Sequence, residues 1–265
     1  MPLVSVVMPV YNGQKYLTKA IESILSQSFF DFEFIIIDDA STDNTRMIIK
    51  KFQETDKRIV YHKNEQNSGV AYTLNKGIAI SKGQFIARMD ADDIALKNRL
   101  QEQVDFLITH PLISLIDVLM EYIDVDGTSL RKYNRKIFDP LKIKKSLPDQ
   151  NPLGHSSIMI WANILQRYKY NETNFEDYDL WLRLTADGHH LAKLNSPLHL
   201  YRIHESSITG KASEKKLHFL KQSKAKFMYL KNEIIKKHRW SWFNTKVCFF
   251  MLRDYFLYFY KRLKN

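Results

Sequence analysis

The sequence predicts an α/β domain built on a central, mostly parallel sheet. Two observations carry that reading. Short apolar runs of strand length alternate with segments of helical spacing, and strand starts recur every ~25–30 residues, the rhythm of βαβ units. Polar clusters then follow successive apolar runs: Tyr11-Asn12, Asp38-Asp39, Asn64 to Asn67, and Asp90 to Asp93. In an open parallel sheet, ligands bind beyond the carboxyl ends of the strands, so four loops are expected to converge on one crevice.

The elements follow in order. Val4–Val10 is apolar throughout and suits a strand buried on both faces. After "YNG", Leu17, Ala20, Ile21, Ile24 and Leu25 recur at helical spacing. "FEFIII" (32–37) reads as the second strand and runs into "DDASTDNT", where Asp43 or Thr42 can cap a helix bearing Met47, Ile48 and Phe52. "RIVYH" (58–62) is the third strand, a helix spans about Val70 to Ala79, and "QFIARM" (84–89) is the fourth strand. "LKNRLQEQVDFLITH" is helical and stopped by Pro111, and "LISLIDVLMEYIDVDG" is a strand leading to an Asp-Gly turn. Residues 131–150 carry no clear pattern. "SSIMIW" (156–161) returns to the sheet, and Leu180, Trp181 and Leu184 mark a helix over "FEDYDLWLRLTADG".

Charge divides the chain. The net charge is +11, yet residues 211–265 hold 15 Lys/Arg against 3 Asp/Glu, so the first 210 residues are almost neutral. The expected organisation is a domain over 1–210 and a basic, aromatic helical tail over 211–265. "RWSWFNTKVCFFMLRDYFLYFYKRLKN" (239–265) mixes aromatic and basic residues as interfacial segments do, and clustered basic residues add about 1 kcal/mol each near anionic lipid. Packing back onto the domain, or onto a second subunit, is the alternative. A nucleic-acid module rests on the tail's charge alone, without a recognition motif, so no nucleic-acid partner is expected. The single cysteine, Cys248, excludes an internal disulfide and a cysteine-rich zinc site and suits a reducing compartment. No signal peptide and no run of roughly 18 apolar residues is visible, so the expected location is cytoplasmic and peripheral at the inner membrane face.

"ARMDADD" (87–93) carries the chemistry. Residues i and i+2 at a strand end share a side, so Asp90 and Asp92 can face one ligand while Asp93 turns away. Crowded carboxylates repel unless a cation sits between them, and hard oxygen ligands suit Mg²⁺ or Mn²⁺. Turn formation and helix capping are the plainer use of such aspartates. Asp39 fits an acceptor for ribose hydroxyls or a base N–H. The chain has no GxxxxGK[ST] or GxGxxG sequence, which leaves an ATPase or dinucleotide enzyme unsupported.

Five segments occur in a familiar order: "VSVVMPVYNGQKYL", "DFEFIIIDDASTDNT", "NEQNSGVAYTLNKGI", "GQFIARMDADD" and "FEDYDLWLRL". With them, residues 3–205 resemble the family 2 glycosyltransferases of bacterial surface-polysaccharide synthesis, which have the GT-A fold. The resemblance implies an inverting, metal-dependent transferase that moves a sugar from a nucleotide donor, usually UDP-linked, to a saccharide acceptor, here expected to be lipid-linked. Pro9, Tyr11, Asn12, Asp39, Arg88 and Asp90 would surround the donor nucleotide. Asp92 would bind the divalent ion (Mn²⁺ or Mg²⁺), and His204 in "YRIHESSIT" would reach the metal or diphosphate. Asp177 matches the catalytic base, with Glu176 its less favoured neighbour. Arg202 would meet the phosphates, and His155 in "LGHSSIM" would line the acceptor side. Processive relatives carry Gln-x-x-Arg-Trp and membrane spans; here the corresponding region reads "YDLWLRL", which favours one sugar per encounter. Sugar-phosphate nucleotidyl transfer is the alternative enzyme class, but "PVYNGQKY" poorly matches its Gly-rich, basic first loop. Asp179 is expected to support a helix start, Trp181 to pack in the core, and His189-His190 to lie at the surface.

Overall fold

In the computed structural model, which describes residues 1–134, 136, 138–172, 175–204, 212–236 and 240–263, the first third of the chain is a run of βαβ units. These comprise β1 (Val4–Val10), α1 (Leu17–Leu25), β2 (Phe32–Asp38), α2 (Thr45–Thr55), β3 (Ile59–Lys63), α3 (Val70–Ile80) and β4 (Phe85–Arg88). The four strands pair in parallel in the order β3-β2-β1-β4. Alternate side chains serve opposite faces. Phe34 and Ile36 pack with Ile21, Ile24 and Leu107, whereas Ile35 and Ile37 pack with Leu74, Ile78 and Leu180. Burial on both faces is why these strands read as unbroken apolar runs, and each fully buried Ile or Leu contributes roughly 1.5–3 kcal/mol.

The remaining elements are β5 (Ile94–Ala95), α4 (Arg99–Thr109), β6 (Ile113–Ile123), β7 (Ser129–Tyr133), α5 (Pro140–Ser146), β8 (Met159–Trp161), α6 (Ala162–Tyr168), α7 (Glu176–Ala186), β9 (His190–Arg202), α8 (Ala212–Leu230), a π-helical segment Lys231–Lys236, and α9 (Trp242–Leu263). β8 lies antiparallel between β4 and β6, and β9 extends the sheet parallel to β6 with three register shifts that help curl it. β7 closes a hairpin on β6 through a turn in which Gly127 has φ 93°, the left-handed region glycine adopts without steric cost. The sheet is thus mostly parallel and curled, as expected for the α/β class.

The basic tail has no core of its own among the described residues. Ala225, Tyr229 and Leu230 of α8 and Val247 of α9 join the cluster that contains Leu180, Trp181 and Leu184 of α7. Two fully buried charges, Lys226 and Asp254, meet at 2.6 Å where α8 and α9 touch. On the outward side of α9, Trp242, Phe249, Leu252, Phe256 and Phe259 are exposed, and their spacing puts them in one stripe. Among the described residues, no helix is long and apolar enough to cross a membrane.

Candidate active site

The loops after β1 and β2 are knitted into one rim. Asn12 adopts φ 49°, its N–H donates to Ser41 Oγ at 2.9 Å, and its Oδ1 accepts from the Thr42 N–H at 2.9 Å. Asp43 ties this rim to α2, accepting from the Thr45 N–H at 2.9 Å and the Gln14 N–H at 3.1 Å. Tyr11 is half exposed at the rim, and Pro9 sits two residues earlier within β1, in register with Ile37. The two acids ending β2 divide their work. Asp38 is fully buried and accepts from the Ser41 N–H and the Tyr61 hydroxyl, a structural arrangement. Asp39 faces the loop before α3, where its carboxylate accepts from Asn64 Nδ2 at 2.7 Å, the Ser68 N–H at 2.9 Å and the Gly69 N–H at 2.8 Å.

Beyond β4 the acidic run fans out. Arg88 grips Asp90 with both terminal nitrogens, at 2.7 and 2.5 Å. Asp92 Oδ2 meets His204 Nε2 at 2.8 Å, with the His204 ring 5.2 Å from that of Tyr16. Asp93 points back into the protein, to His199 Nε2 at 2.8 Å and the Arg202 N–H at 2.9 Å. Even so, one oxygen from each of Asp90, Asp92 and Asp93 lies within 4.8 Å of the others. Burial, followed by the Arg88 charge acting in the opposite sense and then by the neighbouring aspartates, leaves Asp90 pushed up to about 7; Asp93 reaches about 7 chiefly through burial and Asp92. Carboxylates this crowded and this reluctant to ionise form a site that a hard divalent cation would relieve. The donor set therefore fits Mg²⁺ or Mn²⁺, with Asp92, His204 and Asp90 the residues able to hold it or its waters.

Arg202 reaches the same loop from β9. Its Nε donates to the Asp92 carbonyl at 2.9 Å and its Nη1 to the Asp124 and Val125 carbonyls, while its guanidinium lies 4.6 Å from the Tyr16 ring centre.

The opposite wall is the N-terminus of α7, whose first turn holds Glu176, Asp177 and Asp179, where acidic residues favour the helix dipole. Asp179 turns inward to Arg183 and Asn171, a helix-supporting role. Asp177 Oδ2 accepts from Asn151 Nδ2 at 2.9 Å, and burial raises its pKa. Glu176 is driven to about 7 by burial and then by Asp177, and one of its oxygens lies 3.7 Å from His155 Nδ1. Burial and the Arg88 charge hold His155 well below the usual imidazole range. Its ring meets Tyr170 and Trp181 edge-on, at centroid distances of 5.1 and 6.3 Å. In this region Arg88 Nε, His155 Nε2, the Tyr170 hydroxyl and Trp181 Nε1 are buried polar atoms without a hydrogen-bond partner among the described residues. Trp181 packs in the core, as its spacing suggests, yet its N–H belongs to this polar group. Arg88 unites the two walls, since its charge acts on Asp90, Glu176 and Asp177.

The sequence did not disclose several participants. Asn151 lies just past the patternless stretch 131–150, in a segment the sequence left unassigned, and the buried Arg99–His199–Asp93 chain is built from residues separated by up to 106 positions. The only sequence signal for the latter was a third aspartate in a cluster that needed two.

The residues 5–175 match the family model described as glycosyl transferase family 2, and the chain belongs to that family. It is 29% identical over 257 residues to an Escherichia coli protein, WfgD, described as a UDP-Glc:alpha-D-GlcNAc-diphosphoundecaprenol beta-1,3-glucosyltransferase, covering 92% of this chain and 98% of that one. Among solved structures, S. aureus TarS 1–349 in complex with UDP-GlcNAc matches with a TM-score of 0.69 at 20% identity, over 88% of this chain and 67% of that one. The mannosyltransferase PcManGT from Pyrobaculum calidifontis, in complex with GDP-Man and Mn²⁺, matches with a TM-score of 0.67 at 16% identity, over 87% and 64% of the two chains. The fold is therefore that of the GT-A glycosyltransferases.

Proposed function

We propose that this chain transfers a hexose, with inversion, from a UDP-sugar to a lipid-linked saccharide during assembly of a bacterial surface polysaccharide. The observation that carries the reading is the pair of walls around Arg88: an acidic cluster suited to a cation on one side, and a half-buried, amide-held carboxylate on the other. WfgD, similar over nearly its whole length, uses a UDP-sugar and a diphosphoundecaprenol-linked acceptor by its description, which supports the same substrate classes here.

In this reading Pro9, Tyr11, Asn12 and Asp39 border the uridine, and Arg88 and Asp90 lie beside the sugar-diphosphate. Asp92 and His204 hold the divalent ion, which when bound neutralises charge on the diphosphate leaving group. Arg202, with Nε and Nη1 already on carbonyls, adds positive potential behind it. Asp177 takes the proton from the acceptor hydroxyl as its oxygen bonds to the anomeric carbon and the bond to the diphosphate breaks. A single displacement of this kind needs one base and inverts the anomeric centre. His155, with Nε2 unsatisfied, and Glu176 line the acceptor side. The exposed aromatic stripe of α9 and the tail's basic residues suit contact with an anionic membrane surface, where such an acceptor resides.

The test is UDP release from a panel of UDP-sugars with a GlcNAc-diphospho-lipid analogue, with Mn²⁺ or with EDTA. Metal-dependent release with one or two donors is expected. Turnover undiminished by EDTA would refute the metal assignment, and absence of transfer from every UDP-sugar would refute the donor class.

A further inference from the structure

The segment between α5 and β8 is held at both ends of a short stretch. Asn151 Oδ1 accepts from the Leu153 N–H at 3.1 Å, so its amide oxygen is committed and its Nδ2 faces Asp177 Oδ2 at 2.9 Å. Two residues earlier, Asp149 is gripped by the C-terminal helices. Lys226 Nζ of α8 donates to the Asp149 carbonyl at 2.9 Å, and Arg253 Nη1 of α9 meets the Asp149 carboxylate at 2.5 Å. Asp254 braces both cations, with Oδ2 at 2.6 Å from Lys226 and Oδ1 at 2.5 Å from Arg253 Nη2. Tyr178 adds a hydrogen bond to the Leu147 carbonyl, and Lys193 one to the Pro152 carbonyl.

We propose that α8 and α9 act as a clamp on Asp149 that aims the Asn151 amide, and that Asn151 is a positioning residue fixing the Asp177 carboxylate for proton abstraction. This rests on Asp177 being the base. A carboxylate is free to rotate about its own bond, and one rigid N–H donor removes that freedom. A misplacement of about 1 Å in such a group costs on the order of a hundredfold in rate. The amide also favours the ionised form, opposing the burial that raises the Asp177 pKa. Around Asp177 stand Arg88 from β4, Tyr170 after α6, and Glu176 and Tyr178 on its own helix. The tail is thereby coupled to the chemistry without touching substrate.

The experiment uses the full chain. Carboxyl ¹³C spectra, with the Asp177 signal identified by its absence in Asp177→Asn, give the Asp177 pKa without any substrate. Asn151→Ala is expected to raise that pKa. In the assay with a UDP-sugar and the GlcNAc-diphospho-lipid analogue, it should lower kcat about ten- to a hundredfold, leave the donor KM within about twofold, and move the acid limb of the pH profile upward. Arg253→Ala should lower kcat about three- to tenfold, with partial rescue by Arg253→Lys, and should cause no further loss when added to Asn151→Ala. A crystal structure of Arg253→Ala should show the Asn151 amide displaced from Asp177. An unshifted Asp177 pKa in Asn151→Ala, or an undisturbed contact in Arg253→Ala, overturns the proposal while leaving the base assignment intact. Retained turnover in Asp177→Asn overturns the base assignment itself, and the proposal with it.

Discussion

Lys226→Met should be the most destabilising single change in the C-terminal helices. Lys226 and Asp254 have no solvent exposure in their side chains, so salt does not screen the pair and water does not replace the lost partner. Removing one member of a buried ion pair costs about 3–5 kcal/mol, because the other charge stays behind uncompensated. Here Arg253 still holds Asp254 Oδ1, which favours the lower end; the Asp149 carbonyl also loses its donor, adding about 1 kcal/mol. The expectation is about 3–4 kcal/mol, or a fall in Tm of roughly 10 °C for a chain of this size. Urea unfolding, followed by tryptophan fluorescence, reads it directly, since Trp181 is fully buried against the same core as α8. The double variant Lys226→Met/Asp254→Leu removes both charges and should recover to within about 1 kcal/mol of the parent. A loss below about 1 kcal/mol in the single variant would mean the pair is open to water. A double variant as unstable as the single one would mean that packing, not charge, was lost.

Four further outcomes follow. Asp177→Asn should reduce kcat about 10²- to 10⁴-fold without weakening UDP binding by calorimetry; turnover within threefold of the parent would remove Asp177 as base. Asp92→Ala and His204→Ala should each weaken Mn²⁺ binding in the presence of UDP about tenfold or more, and unchanged titrations would show the ion held elsewhere. Burial pushes the Glu176 carboxyl up from its ordinary 4.5 to about 7, so the folded state holds the proton longer, and its contribution lowers stability as pH rises through that window. Glu176→Gln should accordingly leave stability unchanged near pH 4 and raise it by about 1–3 kcal/mol at pH 8, measured by urea unfolding at both pH values. Trp242→Ser/Phe249→Ser/Phe256→Ser removes exposed aromatics only, so Tm should hold while affinity for anionic liposomes falls about tenfold or more.

The first half of the fold was legible because its strands are buried on both faces, and a run such as Val4–Val10 can be little else. The predicted helix at about Val70 to Ala79 ends one residue later, at Ile80. Legibility failed where local pattern is weak. β7 is exposed along its whole length, and α5 buries only Ile143, so neither carries the periodicity that marks a half-buried element. β9 contains Asn195, Ser196 and Pro197, which break the apolar run, and it pairs with β6 across register shifts no sequence pattern announces. At the site, the acids declared themselves by crowding, whereas the groups that orient them come from distant segments. The sequence singled out Asp39 for the site and gave Asp38 no role; its partners show Asp38 to be a buried strand-end brace and Asp39 a loop-facing carboxylate.

Asp93 illustrates what the third acid of the cluster does. Arg99 Nη1 faces His199 Nδ1 at 3.3 Å, and a guanidinium can only donate. The Nδ1 atom is therefore the acceptor, Nε2 carries the proton, and that N–H donates to Asp93 Oδ2. Burial and the Arg99 charge keep this imidazole well below its ordinary pKa, consistent with the neutral tautomer. So held, Asp93 offers its other oxygen to the Arg202 backbone N–H and pins the end of β9 to the loop after β4. His204 lies two residues beyond Arg202 and meets Asp92 across 112 positions of sequence. The carboxylate that turns from the crevice thus brings in the imidazole that faces it, and a chain with only Asp90 and Asp92 would lack that strap.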